Sequence, residues 1–387
     1  MRVVSVNYYY DSDLATPEDL LRRYGTLVGW AEGLAAAGVE SVVVQRFKAN
    51  IRRSIGAVEY HFVNERGAGA RSPELHSVIA SLRPDVVHVN GMSFAPQARR
   101  LKSLLSGAPI VIQDHADRRP SNPFARTALR LSLRQMDAVI FTAREQSLPW
   151  LSQGLLSPET PVLELMEGSS RFSLLPRHEA RAQIRMDGDP LCLWVGRLDP
   201  NKDPLTVLDG FAMALQDRPR ARLAMIYGEA PLLPQVLSWL RSRPGVARCV
   251  TLIGPRPHAE LEAFYNSADL FLLGSHHEGS GYAALEAISC GAVPILTDIP
   301  SFRRLTDNGR WGGLWRVGDA ASLAHTLVDW ESRLAADTRV QIRRFFEDRF
   351  TFEAIGRRAV SAYQTLIPRT ASAQIPLTSL RRPGEFV

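Results

Sequence analysis

Two cations lie in a part of the sequence where a short apolar run gives way to a helical pattern. The segment VGRLDPNKDPLTVLDGF carries Arg197 and Lys202 just before the predicted helix. Ligands of parallel α/β sheets bind where strands end and helices begin, because loop amides and helix N-termini meet there. Two cations beside the positive end of a helix dipole therefore outline a diphosphate site. The simpler alternative is a solvated loop with two surface cations.

A glycine-rich turn carries the second group of residues that could do chemistry. It follows a predicted strand and contains Glu278, Gly279, Ser280 and Gly281, with Tyr282 opening a helix. Glycines let a backbone approach a ligand closely and leave amides free for phosphate. Glu286 follows Glu278 by eight positions, so one carboxylate can face a sugar while the other reaches ribose hydroxyls. A structural acid plus a solvated helix glutamate is the alternative.

The elements that must position these residues form a regular alternation along the chain. Short β-branched runs alternate with helical patterns, which is typical of βαβ units and parallel sheets. Two series of strands are predicted, at residues 2–7, 41–45, 85–91, 109–115, 137–143 and 161–167, and at residues 191–197, 222–228, 249–254, 269–275 and 293–298. A helix is predicted after the first strand, with Thr16 as N-cap, Pro17 in its first turn and Gly38 at its end.

The polar stretch 171–190 has no strand character and separates the two series, so we place the domain junction there. At 387 residues the chain exceeds the size of one hydrophobic core, and two domains are expected. A cleft between two domains is the default place for a binding site. Residues 368–387 contain three prolines and no clear period, so a tail is predicted.

Several classes of protein are excluded by composition. No apolar run is long enough to cross a bilayer, and the N-terminal sequence lacks the pattern of a secretory signal. Cys192, Cys249 and Cys290 are too few and too scattered for a disulfide framework, and no Cys/His spacing indicates a metal site. We therefore expect a cytoplasmic protein without a structural metal.

The chain is basic, with a net charge of +6 and an isoelectric point of about 9.5. This favours anionic partners such as nucleotide phosphates or an acidic lipid surface. Arg126, Arg130 and Arg134 recur at steps of four and would form one positive stripe on a helix. Peripheral contact with an anionic membrane or a lipid-linked acceptor is the resulting hypothesis, and a solvated helix face is the alternative. Nucleic-acid binding is not expected, because no recognisable module is present.

The two motif segments together resemble the donor-site motifs of family 4 glycosyltransferases, enzymes of the GT-B fold. The likeness extends to RPDVVHVNG, PIVIQDHAD and MDAVIFTAREQ, to HAELEAFYNSADLFLLGS, and to FTFEAIGRRAVSAY near the end. It implies an α/β protein with two Rossmann-like domains whose parallel sheets face each other across a cleft. The acceptor-side domain would span residues 1–168, joined by a C-terminal helix of about residues 350–367, and the nucleotide-sugar domain residues 169–349.

The resemblance also implies roles for the donor-site residues. Arg197 and Lys202 would neutralise the donor diphosphate, so that neither a metal ion nor another cofactor is required. The diphosphate cradle would be completed by the amides around Ser280, Gly281 and Tyr282. Glu286 would bind the ribose, and Glu278 and Gly279 the transferred sugar.

One histidine is implied at the reaction centre. His115 ends the predicted strand 109–115 and is similar to the family histidine beside the sugar, so His115 and Glu278 are the predicted catalytic residues. A capping or core role is the alternative for His115. His88, inside DVVHVNG, is predicted to be structural.

The sequence departs from the family pattern at three places. The loop after the first strand, NYYYDSDLATP, lacks the usual glycine pair. Ser280 stands where an aromatic residue is common, and Glu167 and Gly168 stand where an asparagine-glycine step is usual. Because the glycine pair is absent, the loop after the first strand must work differently from that of other members.

The reaction implied is transfer of a hexose-type sugar from a nucleotide-diphosphate sugar with retention of configuration, by front-face substitution. The acceptor would be a glycan, a lipid-linked sugar or a small molecule, in polysaccharide or glycoconjugate biosynthesis. Alternatives are a nucleotide-sugar epimerase, which needs no acceptor, a phosphorylase, which needs inorganic phosphate, and a non-catalytic sugar-nucleotide-binding subunit. A dinucleotide-dependent oxidoreductase is disfavoured, because no strand is followed by GxGxxG.

Overall fold

The computed structural model describes residues 1–65 and 71–367, so the predicted tail at 368–387 lies outside the described residues. The strands within these ranges are β1 (Arg2–Asn7), β2 (Glu40–Phe47), β3 (Ile51–Ile55), β4 (Val58–Asn64), β5 (Val86–Asn90), β6 (Ile110–Gln113), β7 (Ala138–Phe141), β8 (Val162–Glu164), β9 (Leu191–Gly196), β10 (Arg222–Tyr227), β11 (Val250–Gly254), β12 (Leu270–Leu273), β13 (Val293–Thr297) and β14 (Gly313–Trp315).

The α-helices of the same ranges connect these strands. They are α1 (Pro17–Arg23), α2 (Gly25–Ala36), α3 (Pro73–Ser81), α4 (Ala95–Lys102), α5 (Pro123–Leu133), α6 (Leu148–Ser152), α7 (Arg177–Ile184), α8 (Pro204–Ala214), α9 (Leu233–Arg241), α10 (Pro244–Ala247), α11 (His258–Ser267), α12 (Tyr282–Ser289), α13 (Pro300–Thr306), α14 (Ala320–Ser332), α15 (Thr338–Arg349) and α16 (Phe352–Gln364). None of them is both long enough and apolar enough to cross a bilayer.

The strands form two sheets. The first has the order β3-β4-β2-β1-β5-β6-β7-β8, and the second has the order β11-β10-β9-β12-β13-β14. All neighbouring strands run parallel except the antiparallel pair of β3 and β4. Helices cover a parallel sheet on both faces, which is why its strands read as continuous β-branched runs. The α/β class and the two predicted series of strands are confirmed.

Three strands and one helix break were not predicted. The hairpin of β3 and β4 turns at Gly56, whose φ is +58°, and the strand β14 is only three residues long. The helix predicted after the first strand begins as expected, with Thr16 Oγ1 accepting from the Asp19 amide at 3.1 Å, and ends before Gly38, whose φ is +84°. It breaks at Tyr24, however, where the hydroxyl donates to Asp11 at 2.9 Å.

The helix α16 returns to the first half of the chain and packs on α2. The two helices cross at glycines, since a Cβ added at Gly33 would lie 2.1 Å from the Phe352 carbonyl oxygen. A Cβ added at Gly356 would lie 2.0 Å from the Gly33 carbonyl oxygen. The polar stretch 171–190, which contains α7, runs between β8 and β9.

Candidate active site

The loop after β9 is fastened to the loop after β12. Asn201 joins the two loops by two hydrogen bonds: its side-chain amide donates to the His277 carbonyl at 3.0 Å, and its Oδ1 accepts from the His277 amide at 3.1 Å. Asp203, at φ +43°, caps α8 through the Thr206 amide and contacts His276 Nε2 at 3.0 Å. The two predicted motifs therefore lie side by side at the carboxyl edge of the second sheet.

Lys202 and Glu278 form an ion pair at the centre of this edge. Their side chains are 15% and 13% exposed, and Ser275 Oγ donates to the same Glu278 oxygen at 2.6 Å. Arg197 contacts Asp199 at 3.0 Å and is 53% exposed, so its guanidinium is accessible. Arg197, Lys202, Glu278 and Gly279 line one cleft of about 890 Å³.

The opposite wall of this cleft comes from the first half of the chain. Arg118 and Arg119, which follow β6, and Arg126 on α5 line it. Arg126 is half-buried and its guanidinium donates to Gln153 Oε1 at 3.2 Å. Of the three arginines of the predicted positive stripe, Arg126 lines the cleft, while Arg130 and Arg134 are exposed. Cations face the cleft from both walls, and those of the first half were not predicted.

The glycine-rich turn adopts a shape that requires its glycines. Gly281 has φ +75°, and a Cβ there would lie 2.6 Å from the Phe302 ring. A Cβ at Gly279 would lie 2.7 Å from Glu167 Oε1. Gln146, from the first half, donates to the carbonyls of Glu278 and Gly279 at 2.8 and 3.0 Å. The turn is thus held from both halves of the chain.

Ser280 and Tyr282 flank Gly281 and have different surroundings. Ser280 is buried and its hydroxyl donates to Glu167 Oε1 at 2.8 Å. Tyr282 begins α12 as predicted and packs over Gly168, where a Cβ would lie 2.1 Å from its ring. The first amides of α12 have no acceptor within the helix and can receive an anion.

Glu286 lies apart from this group. It is one turn into α12, and its carboxylate contacts His258 Nε2 at 2.6 Å, outside the lining of the cleft. The hydrogen bond that His258 donates to the Glu286 carboxylate raises the pKa of His258. His258 also stacks on Phe172, with ring centroids 5.0 Å apart. His258 was not among the predicted site residues.

His115 lies just beyond β6 at a second cleft of about 590 Å³. Its Nδ1 is 2.9 Å from Glu167 Oε2, and its Nε2 is 3.1 Å from Asn90 Oδ1. The exposed Tyr9, from the loop that lacks the glycine pair, and Tyr282 line the same cleft. His88, in contrast, is fully buried, and its Nδ1 lies 2.6 Å from the Tyr363 hydroxyl, as expected for a residue of the core.

The surroundings of His115 are strongly acidic. Burial, together with the charges of Asp117 and Glu167, raises the pKa of Asp114 to about 7. Burial opposes protonation of His115, but the carboxylates of Glu167, Asp117 and Asp114 outweigh it and raise the pKa of the ring. Burial lowers the pKa of the neighbouring His88 to about 3. A positive charge on His115 is therefore stabilised by its surroundings.

Comparison with known proteins decides the family. The description "Glycosyl transferase 4-like domain" matches residues 26–148, and "Glycosyl transferases group 1" matches residues 189–332. The chain belongs to the group 1 glycosyltransferases of the family 4 type. The predicted resemblance is confirmed, and with it the assignment of the chain to a family of glycosyl-transferring enzymes.

Two relatives of this glycosyltransferase illustrate the range of similarity. A D-inositol 3-phosphate glycosyltransferase of Thermobispora bispora is 31% identical over 210 residues, which are 51% of this chain and 48% of that one. A GDP-mannose:cellobiosyl-diphosphopolyprenol alpha-mannosyltransferase of Xanthomonas campestris is 28% identical over 324 residues, 80% of this chain and 82% of that one. The glycosyltransferase thus spans about half the length of the first relative and most of the second.

Solved structures confirm the predicted GT-B fold of the glycosyltransferase. Sucrose-phosphate synthase of Thermosynechococcus elongatus aligns with a TM-score of 0.66 at 17% identity, over 94% of this chain and 98% of that one. Anabaena HepE in complex with UDP-glucose aligns with a TM-score of 0.64 at 16% identity, over 94% and 100%. At these identities the likeness concerns the fold alone.

Proposed function

We propose that this protein is a retaining glycosyltransferase that moves a hexose-type sugar from a nucleotide-diphosphate sugar to an acceptor, in polysaccharide or glycoconjugate biosynthesis. The observation that carries the proposal is the meeting of Arg197, Lys202 and Glu278 in one cleft lined from both halves of the chain. Cations of this kind neutralise a diphosphate, and a carboxylate beside them accepts hydrogen bonds from sugar hydroxyls.

Binding of the donor would replace the ion pairs that Glu278 and Glu286 make in the structure. Lys202 is paired with Glu278, and Glu286 with His258. We propose that the donor phosphate binds Lys202 in place of Glu278, and that the freed Glu278 carboxylate binds the transferred sugar. The amides at the start of α12 would hold the diphosphate, and the ribose hydroxyls would reach Glu286.

The second cleft is the proposed acceptor site. It adjoins the donor cleft, since Asp117 lines both, and it contains His115. Tyr9, Tyr24 and Phe94 give it aromatic walls, and such faces suit the apolar faces of sugar rings. The Xanthomonas relative carries a diphosphopolyprenol sugar in its name, so a lipid-linked sugar is one acceptor class to test beside free glycans and small molecules.

The proposed chemistry is a front-face substitution without a metal ion. Holding acceptor and donor in contact lowers the entropic part of the barrier. Arg197, Lys202 and the start of α12 would stabilise the charge that develops on the departing diphosphate. Approach of the two halves over the donor would exclude water, which otherwise competes as an acceptor.

A thermal-shift screen against nucleotide sugars tests the donor assignment. UDP-glucose and GDP-mannose come first, because they are the donors named for the similar structure and the relative. A donor at one hundred times its dissociation constant stabilises the folded state by about 2.7 kcal/mol. The expected result is a rise in the melting temperature with one nucleotide sugar and its nucleoside diphosphate, and a smaller rise with the monophosphate.

Transfer is then measured with the preferred donor and a panel of sugar, lipid-linked and small-molecule acceptors, and the anomeric configuration of the product is read by NMR. Retention of configuration is expected. An inverted product would overturn the proposed mechanism, and release of an epimerised donor in the absence of acceptor would indicate the epimerase instead. No stabilisation by any nucleotide sugar would overturn the proposed function.

A further inference from the structure

Two positions at which the active site departs from the family pattern touch each other. Ser280 Oγ donates to Glu167 Oε1 at 2.8 Å, although the two residues come from opposite halves of the chain. Their exposures are 1% and 6%. A buried carboxylate needs hydrogen-bond donors or an opposite charge to remain ionised. Ser280 provides one donor, and the charge partner lies on the other side of Glu167.

That partner is His115, whose two ring nitrogens both face oxygen atoms. Nδ1 is 2.9 Å from Glu167 Oε2, and Nε2 is 3.1 Å from Asn90 Oδ1. The Asn90 amide nitrogen donates to Asn7 Oδ1 at 2.8 Å, which turns the Asn90 oxygen towards the ring. The Nδ1–Oε2 contact is an ion-pair distance, and Glu167 Oε2 has no hydrogen-bond partner among the described residues. An imidazolium offers this buried oxygen a positive charge and keeps an N–H for Asn90, whereas a neutral imidazole offers no charge.

The charged groups around His115 favour the imidazolium form. Besides Glu167 from the loop after β8, Asp117 lies on its own loop, and its carboxylate accepts from the His115 amide at 3.1 Å. Asp114 lies on the same loop, but its pKa of about 7 leaves it only partly ionised at neutral pH. His88 from β5 opposes the charge but is buried and neutral, its pKa being about 3. The other charged groups near the ring are Arg23, which lines the same cleft as His115, and the Lys202–Glu278 pair, which lines the adjoining donor cleft.

We propose that Glu167 is a positioning residue that holds His115 as an imidazolium, so that His115 offers a fixed positive charge to the donor and does not act as a base. The proposal rests on the proposed function for its catalytic consequence. With both ring nitrogens protonated, His115 has no lone pair with which to take the acceptor proton. The acceptor oxygen forms its bond to the anomeric carbon, the bond from that carbon to the diphosphate breaks, and the proton passes to the departing diphosphate oxygen.

Histidine NMR without any donor tests the charge state directly. The protein labelled at histidine is titrated, and the His115 signal is assigned from its loss in His115→Gln. The expected result is a wild-type ring that is protonated at neutral pH, and a midpoint about one pH unit lower or more in Glu167→Gln. This variant keeps the shape of the side chain and the Ser280 contact, and unchanged thermal unfolding would establish that it folds.

Glu164→Gln is the matched control. It makes the same change three residues earlier, where the carboxylate pairs with Arg304 at 2.7 Å and lines neither of the two clefts. The His115 midpoint should equal that of the wild type in this variant. A neutral His115 in the wild type at neutral pH, or equal midpoints in Glu167→Gln and the wild type, would overturn the proposal.

The pH dependence of turnover tests the catalytic consequence. Because the folded pKa of His115 is raised, its charge is present at low pH and is lost as the pH rises through that pKa. Turnover should therefore fall on the alkaline side, and this fall should move to lower pH in Glu167→Gln but not in Glu164→Gln. Turnover that rises with deprotonation of His115 would identify a base and overturn the proposal. An imidazolium found by NMR in a protein that transfers no sugar would instead count against the proposed function alone.

Discussion

Lys202 is paired with Glu278 in the structure and is proposed to bind the donor diphosphate during the reaction. Its side chain is 15% exposed and paired with Glu278, so the ammonium is already held in the cleft before a diphosphate is bound. Such preorganisation lowers the reorganisation that charge development would otherwise require. Removing one partner of a buried pair leaves the other unpaired, and this is costly in itself.

Replacement of Lys202 by alanine should separate the two effects. We expect turnover to fall by about 100-fold or more, since a preorganised donor to the departing group is lost. The melting temperature should fall only moderately, because Ser275 still donates to Glu278 at 2.6 Å. Lys102→Ala removes a lysine that is paired with Asp137 at 2.8 Å, away from both clefts, and should keep wild-type turnover. Wild-type kinetics in Lys202→Ala would contradict the diphosphate assignment.

Site residues that belong to a recognisable motif of the second half were predicted from the sequence. Residues of the first half that contact those motifs across the cleft were missed. Arg197, Lys202 and Glu278 could be proposed because each follows a recognisable strand. Gln146 binds the glycine-rich turn across 132 positions of sequence, and no local pattern indicates such a partner. Glu167 was visible only as a departure from the family, and its contact with Ser280 gives that departure a physical meaning.

The elements were predictable where the hydrophobic pattern was strong. Buried parallel strands such as β9 and β12 are unbroken apolar runs, and both were predicted. β3 was missed because four of its five residues are exposed and give no such run. At the break, the Tyr24 hydroxyl donates to Asp11, a contact that helix propensity does not encode.

The crossing of α2 and α16 depends on glycines at the contact. Gly356→Ala would place a methyl group 2.0 Å from the backbone oxygen of Gly33, so the helices would have to separate. Overpacking of this kind costs about 1–3 kcal/mol, and we expect the free energy of unfolding in urea to fall by that amount. Gly25→Ala is the control in α2, since nothing lies within 4 Å of its Cβ. Equal stability of Gly356→Ala and the wild type would refute the tight crossing.

The molecule as a whole concentrates cations on both sides of the donor cleft. Arg118, Arg119 and Arg126 face it from one wall, and Arg197 and Lys202 from the other. A diphosphate between the walls would be attracted by both and would favour their approach. Fold class and domain number followed from length and alternation, whereas the sharing of the cleft by both halves required the three-dimensional arrangement.

This distribution of charge predicts that turnover does not need a divalent ion. After treatment with EDTA and gel filtration, activity with the preferred donor should remain within about twofold of the untreated protein, because arginine and lysine carry the charge that a metal ion would otherwise supply. Added magnesium should not raise it further. A loss of activity that magnesium restores would contradict the prediction.

The outer face of α5 bears on the hypothesis of a membrane contact. Arg126 is turned into the cleft, but Arg130 and Arg134 are exposed, and Phe124 and Leu131 beside them are 87% and 43% exposed. Exposed apolar groups next to cations are typical of helices that lie on anionic membranes. We therefore expect the protein to co-sediment with vesicles of phosphatidylglycerol and phosphatidylcholine at low salt.

Charge reversal on α5 should weaken binding to the vesicles. A control variant with the same change in net charge on another helix should not. Each basic residue near an anionic surface contributes about 1 kcal/mol, so the reversal in Arg130→Glu should lower the partition coefficient about tenfold or more. Phe124→Ser should lower it further, because the apolar contact is lost as well. Arg241→Glu, an exposed change on α9 in the other half, should bind as the wild type does. If Arg130→Glu and Arg241→Glu weaken binding equally, net charge and not α5 is responsible, and if the wild type does not co-sediment, the membrane contact is absent.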